Sequence, residues 1–356
     1  MRFGVMFFAT TGVDPQQACR TVLEVSRLAD RHGLDAVWTP ERHFDEFGGI
    51  FPNPALTSAA LATATERVQL RAGSLISPLH DTVRLAEEWS VVDNWSGGRA
   101  AVSFGSGWNA NDFVLAPDSY ENRHQVMLEQ IALVRRLWAG EEVELPNGAG
   151  KPFAVRLYPA PVQKELPVWL TSSGNPRTFR AAGELGANVL THLIGQTPEE
   201  LADKIRVYRE ARREHGFDPG SGTVSLMLHT HLHESAEQAE ATSRGPFREY
   251  LRSAVKLELK AAQGGGAISG GHALPEDEIP ADLMEELLDA TYERYLHNGS
   301  LIGSPDSCRP MVERVARAGV DDIACLVDFG VPADLIPATV PLIGELAGSR
   351  GATRGR

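Results

Sequence analysis

Cysteine is scarce in this chain: Cys19, Cys308 and Cys325 are the only 3 in 356 residues. They are too few and too scattered for a disulfide framework or a cysteine-based zinc site. Positive charge is also short. Lys and Arg number 34 against 47 Asp and Glu, a formal net charge of −13. Neutralising phosphates or anionic lipid headgroups takes a basic surface, so nucleic-acid binding and electrostatic membrane docking are excluded. Long apolar runs are missing: none approaches the roughly 20 residues that span a bilayer. The opening MRFGVMFF lacks the longer apolar stretch and small-residue cleavage site of a secretion signal. A reducing, bacterial-type cytoplasm is the expected compartment. No P-loop, HExxH or Ser-His-Asp elbow occurs.

What is present reads as a large soluble α/β chain. Hydrophobic residues make up 42% and charged residues 23%, which excludes disorder throughout. Short apolar runs alternate with helical patterns. Strands are expected at 3–8, 35–39, 68–76, 100–104, 168–171, 187–191, 223–231 and 322–327. Helical spacing follows each; 15–32 carries Ala18, Val22, Val25, Leu28 and Ala29 on one face and stops at Gly33. Buried, non-alternating strands separated by helices imply a parallel sheet covered on both faces. Eight such units close naturally into a (β/α)8 TIM barrel. An open doubly wound sheet would more often carry a glycine-rich fingerprint after the first strand, where this chain has Ala9-Thr10-Thr11-Gly12. The expectation is a single domain over 1–348 with a fraying tail at 349–356. Residues 140–163, rich in Pro and Gly, break the rhythm as an excursion or small hairpin. An insertion at 243–297 separates strands seven and eight. Its helices are expected to act as a lid, and its centre at 264–271 is too glycine-rich for regular structure.

In a barrel, chemistry sits at the C-terminal ends of the strands. After strand two come Glu41, Arg42 and His43, charges that are costly to bury unless paired. After strand three comes SLISPLHD, and after strand four Gly105, Ser106, Gly107, Trp108 and Asn109, where glycines let backbone approach a flat ligand. After strand five, Ser172, Ser173, Gly174 and Asn175 open a helix; such an N-terminus suits phosphate, and simple capping is its commoner use. His192 follows strand six. His229, His231 and His233 alternate about strand seven, a pattern that becomes a metal site only with a further ligand nearby, and no metal is expected.

Six segments in order resemble the bacterial luciferase-like flavin-dependent monooxygenases over nearly the whole chain. They are MRFGVMFF, GLDAVWTPERHFDEFGG, VRLAEEWSVVDNWSGGR, SFGSGWNANDFVLAPDSYENR, SSGNPRTFRAAGELGANVLTHLIGQ and GSPDSCRPMVERVARAGVDDI. The ERHF, GWNANDFVLAP and SGNPRTF pieces look most like the branch of secondary-metabolite pathways, whose members stand free or are fused within peptide and polyketide synthases. The resemblance implies a TIM barrel using reduced FMN from a separate flavin reductase, with dioxygen as co-substrate and a flavin hydroperoxide as the oxygenating species. It places the FMN phosphate on Ser172, Ser173, Gly174 and Asn175, paired with Arg123. Gly73 and Ser74 would run under the isoalloxazine, often through a cis peptide. Trp108 and Asn109 would border the flavin. Ser106 stands where luciferase has a second phosphate-binding Arg, and Arg42 where it has a His that supports its chemistry. Asn109 replaces a His common in the branch. A homodimer is the expected assembly.

On this reading His43 hydrogen-bonds the activated oxygen or shuttles a proton, as its ordinary pKa suits. Arg42 either pairs with Glu41 or Asp45, or takes a substrate carboxylate or a phosphopantetheine phosphate. His192 reaches flavin or substrate, or is a hydrogen-bonded rim residue. The substrate is a natural-product intermediate, free or tethered to a carrier protein. Two rivals use the same barrel: a deazaflavin-dependent oxidoreductase moving hydride, and a non-catalytic flavin-binding partner subunit.

Overall fold

The computed structural model describes residues 1–8, 14–263 and 281–348, with 255–263 and 281–283 described by backbone alone. The strands begin with β1 (Arg2–Met6), β2 (Ala36–Thr39), β3 (Gln69–Ile76) and β4 (Ala100–Gly105). An antiparallel hairpin follows, β5 (Val143–Pro146) and β6 (Pro152–Val155). Then come β7 (Val168–Thr171), β8 (Asn188–His192), β9 (Val224–Leu232), β10 (Ser300–Gly303) and β11 (Asp322–Leu326). Eight parallel strands close in the order β1-β2-β3-β4-β7-β8-β9-β11, with β11 paired back onto β1. This is the expected (β/α)8 barrel. The hairpin occupies the Pro- and Gly-rich excursion. The strand β10 was not anticipated. It pairs parallel with the far half of β9, Ser300 opposite His229 and Gly303 opposite Leu232.

The helices around the barrel are α1 (Pro15–Arg31), α2 (Pro54–Ala62), α3 (Thr82–Ser96), α4 (Arg123–Trp138), α5 (Pro176–Glu184) and α6 (Pro198–Glu214). Next come α7 (Ala236–Gln263), α8 (Ala281–Asn298), α9 (Pro305–Arg317) and α10 (Ile336–Leu346). Their starts are written locally. Asp14 accepts from the Gln17 N–H at 2.9 Å and Asp81 from the Arg84 N–H at 2.9 Å, while Thr197 and Glu200 form a capping box. The helices α7 and α8 and the strand β10 all lie between β9 and β11 in the chain. The glycine-rich stretch 264–271 falls outside the described residues.

The barrel interior holds an ion pair. The Arg71 guanidinium donates to the Asp322 carboxylate and stacks between Trp38 and Trp169, 4.7 Å from each ring. Ser225 Oγ donates to the same carboxylate at 2.8 Å. Two aromatic faces and two polar contacts replace the water that these charges would otherwise need.

Candidate active site

The ends of β2 and β3 are joined by one carboxylate. The Glu41 side chain is fully buried. Its Oε2 accepts from the Ile76 N–H at 2.6 Å. Its Oε1 accepts from His43 Nε2 at 2.9 Å and from His80 Nε2 at 2.7 Å. Burial alone would push the Glu41 pKa up, but the two imidazoles and the backbone donor outweigh it, and Glu41 stays below its usual range. Burial pulls His80 down, yet the hydrogen bond and charge of Glu41 leave it raised. An ionised carboxylate only accepts, so both imidazoles carry their proton on Nε2. The expected pairing of Arg42 with Glu41 is therefore replaced by two histidines.

Consecutive side chains diverge here. His43 folds back onto Glu41, and only 9% of it is exposed. Arg42 instead lies over the Phe8 ring, 4.0 Å from its centre, with Phe47 at 5.4 Å. The chain reverses at Phe44, whose φ of 54° puts a bulky residue in the left-handed region. Close by, Asn109 Nδ2 donates to Asp112 Oδ1 at 2.9 Å. Burial raises the Asp112 pKa to about 6, against the pull of His43 and Arg42.

Beside this network is a cavity of about 340 Å³. Its wall takes Met6 and Phe8 from the end of β1, Arg42 and Phe47 from β2, and Gly73 and Ser74 from β3. Trp108 comes from β4, Thr171 and Ser173 from β7, His192 and Ile194 from β8, and Tyr250 from α7. The barrel contributions named here come from C-terminal strand ends, where barrels carry their chemistry. A larger hollow of about 650 Å³ opens at Pro167 and Asn188, at the starts of β7 and β8, the face that serves stability.

Of the residues singled out by sequence, Arg42, Gly73, Ser74, Trp108, Ser173 and His192 line the cavity. The Gly73–Ser74 peptide is cis. His192 is held neutral, its pKa pulled down to about 4 by burial and then by Lys204. Glu41 and His43 stand behind the wall. Asn109 is spent on Asp112 and on capping Asn111, and Asn175 on capping α5 through the Arg177 N–H at 3.0 Å. Ser172 Oγ accepts from the Gly174 N–H at 3.2 Å. Arg123 donates to the carbonyls of Gly107 and Tyr120, at 3.1 and 2.8 Å. Ser106, half-buried after β4, is not in the cavity wall. His229 sits among Phe247, Tyr250, Tyr295 and Phe329, and His231 bonds Thr242 at 2.8 Å. No group of three metal-binding side chains occurs among the described residues.

Sequence reading missed His80, Asp112, Tyr250 and Lys204. The signal for His80 was available: a carboxylate at a buried strand end demands partners, and a His stood just past the neighbouring strand. Lys204 Nζ lies 3.1 Å from where a Cβ on Gly174 would sit, which puts a cation at the α5 N-terminus.

Residues 1–322 match the model of the luciferase-like monooxygenase family. The chain belongs to that family. It is 28% identical to the oxygenase component of a flavin-dependent trigonelline monooxygenase from Acinetobacter baylyi, over 93% of this chain and 90% of that protein. A 4-hydroxyprotoasukamycin monooxygenase of Streptomyces nodosus subsp. asukaensis is 27% identical, over 64% and 63%. The crystal structure of the monooxygenase RslO1 from Streptomyces bottropensis superposes with a TM-score of 0.76 at 26% identity, covering 97% of this chain and 98% of that one. Within this family of barrels the cavity at the C-terminal mouth is the candidate active site. No helix among the described residues is long and apolar enough to cross a membrane.

Proposed function

We propose that this monooxygenase is the oxygenase half of a two-component system. It would take reduced FMN from a separate flavin reductase and oxygenate a small secondary-metabolite intermediate, free or on a carrier protein. The observation that carries the reading is the cavity, whose mixed wall suits a flat ring with a phosphate tail. Gly73 and Ser74 supply backbone wall: a Cβ on Gly73 would come 2.7 Å from Trp38 Cε3, so only glycine lets the chain lie there. Trp108 and Met227 add apolar surface. At one end Ser173 and the start of α5 offer hydroxyl and amide donors, with Lys204 alongside as counter-charge. Those groups fit a phosphate, with Lys204 supplying charge that Ser106 cannot.

When bound, reduced flavin supplies two electrons, so that one atom of dioxygen enters the substrate and the other leaves as water. The protein's part is to hold and shield. Glu41 fixes His43 and His80 by their Nε2 protons, leaving Nδ1 of His43 as the ring's proton acceptor. Asp112, titrating near 6, stands within its field as a second proton store. The apolar wall excludes water, and α7, which carries Tyr250, closes one side as a lid would. The expected assembly is a homodimer.

Anaerobic titration with reduced FMN, followed by an air pulse watched by absorbance, tests the reading. Binding, then reoxidation slower than that of free reduced FMN through a transient species, is the expected result. Binding of a reduced deazaflavin in place of FMN would move the activity to hydride transfer. Binding of reduced FMN with reoxidation no slower than that of the free flavin would leave a non-catalytic flavin-binding partner subunit.

A further inference from the structure

Among the described residues, no side chain or carbonyl takes a hydrogen bond from the Arg42 guanidinium. Its guanidinium is stacked on Phe8 and lines the cavity. Stacking occupies a face of the group and leaves its five N–H donors in the plane. The Nε atom is buried with no hydrogen-bond partner among the described residues. Three carboxylates act on Arg42 through space: Asp112, Asp45 and Asp328. Their bonds go elsewhere. Asp112 is bonded by Asn109, Asp45 takes the Phe47 N–H at 3.1 Å, and Asp328 takes the Phe8 N–H on both oxygens, at 2.9 and 3.1 Å. Their charges favour the protonated guanidinium from a distance.

A second donor faces the same space from another element. Tyr250 on α7 is 5% exposed, packs its ring 5.5 Å from Phe47 and lines the cavity with Arg42. Burial raises its pKa far above the ordinary value, so the hydroxyl keeps its proton and remains a donor. Among the described residues, the rest of this end of the cavity is apolar or neutral. Leu190, Ile194 and Met227 give hydrocarbon surface, and His192 is uncharged near neutral pH.

From this we infer that Arg42 and Tyr250 form an anion clamp, and that the substrate is an apolar molecule carrying one carboxylate. The fork of Arg42 takes the carboxylate and the Tyr250 hydroxyl donates a further hydrogen bond to it. The inference rests on the cavity being the oxygenation site, and it adds the substrate's chemical class. The clamp joins the barrel rim at β2 to α7, so an anionic substrate would draw the two elements together.

Matched ligand pairs test it: benzoate against benzamide, and octanoate against octanamide, titrated calorimetrically into the whole protein, both free and loaded with reduced FMN under anaerobic conditions. A hydrogen bond to a charged group corresponds to a factor of about 10 or more in affinity, so each carboxylate is expected to bind about 10-fold tighter than its amide. Arg42→Met should abolish that preference while changing amide binding less than about 3-fold. Tyr250→Phe, a milder change, should weaken carboxylate binding by about 3- to 10-fold, and Arg42→Lys should restore part of the preference through its point charge. Amides binding as tightly as carboxylates in the unaltered protein would overturn the clamp. So would an Arg42→Met protein that keeps the preference, or one whose loss falls on reduced FMN and not on the carboxylates. Failure of the unaltered protein to bind reduced FMN sinks the flavin reading instead, and a carboxylate preference in the free protein, lost in Arg42→Met, would still stand for the clamp.

Discussion

The Glu41 carboxylate and the His80 imidazole meet at 2.7 Å although they lie 39 residues apart in the chain. The contact ties the end of β2 to the turn after β3 and, through the same oxygen, holds His43. Glu41→Gln keeps the shape but turns an acceptor into a group that also donates, against two Nε2–H donors. Loss of charged hydrogen bonds here is expected to cost about 2–3 kcal/mol in urea unfolding. His80→Phe should cost about 1–3 kcal/mol, because Glu41 keeps His43 and the Ile76 N–H. An unchanged urea midpoint in Glu41→Gln would show that the carboxylate is not the tie described.

Asp112 gives a pH signature. Its folded pKa of about 6 lies above the ordinary 3.8. The folded state therefore prefers the protonated carboxyl. The stability this contributes is in full below about 3.8 and is lost as pH rises through about 6. Asp112→Asn, which still accepts from Asn109, should be more stable than the parent at pH 7 by roughly 1–2 kcal/mol after allowing for solvent screening. At pH 4 the two should converge. Parallel stability curves between pH 4 and 7 would count against the shift.

Acid should unfold the protein through its buried histidines. His229 is 2% exposed, its Nε2 has no partner among the described residues, and burial, then His192, pulls its pKa down to about 3. The unfolded chain takes up a proton near 6.5 that the folded site refuses until far lower. Stability falls by about 1.4 kcal/mol per pH unit below about 6.5 for this group alone. His229→Phe, set among Phe247, Tyr250, Tyr295 and Phe329, removes that uptake. Circular dichroism across an acid titration should place its unfolding midpoint at lower pH than the parent's; a midpoint at the same pH or above would refute the assignment.

The Arg71–Asp322 pair predicts an asymmetric response. Arg71→Met leaves a buried carboxylate without its cation and should cost about 3–5 kcal/mol. The double change Arg71→Met with Asp322→Asn removes both charges and should recover part of that loss. Chemical unfolding of the single and double variants reads the difference directly. Equal losses in the two would mean that the charge pairing is not what matters at that layer.

The barrel rhythm was legible because its signals are local. Apolar runs at 68–76 and 100–104, Gly33 after α1 and Thr197 before α6 each act over one turn or one strand, and they fall where the elements begin and end. The residues near the mouth were legible too, since strand ends in a barrel converge: Arg42, Gly73, Ser74, Trp108, Ser173 and His192 share one cavity. The strand β10 was hidden because four residues carry no period, and its partner lies 71 positions earlier at His229, opposite Ser300.

What the sequence by itself determined is the succession of strands and helices, their caps, and the set of polar residues delivered to the C-terminal mouth. Only the tertiary structure decided which of those groups meet. Glu41 pairs with His80 and not Arg42, His43 turns behind the wall while its neighbour faces the cavity, and Tyr250 arrives from a helix some 200 residues on. Capping and periodicity depend on neighbours a few bonds away, so they can be read along the chain. The choice of partner for a buried charge depends on which side chains the closed barrel brings within 3 Å, and that depends on packing across the whole fold.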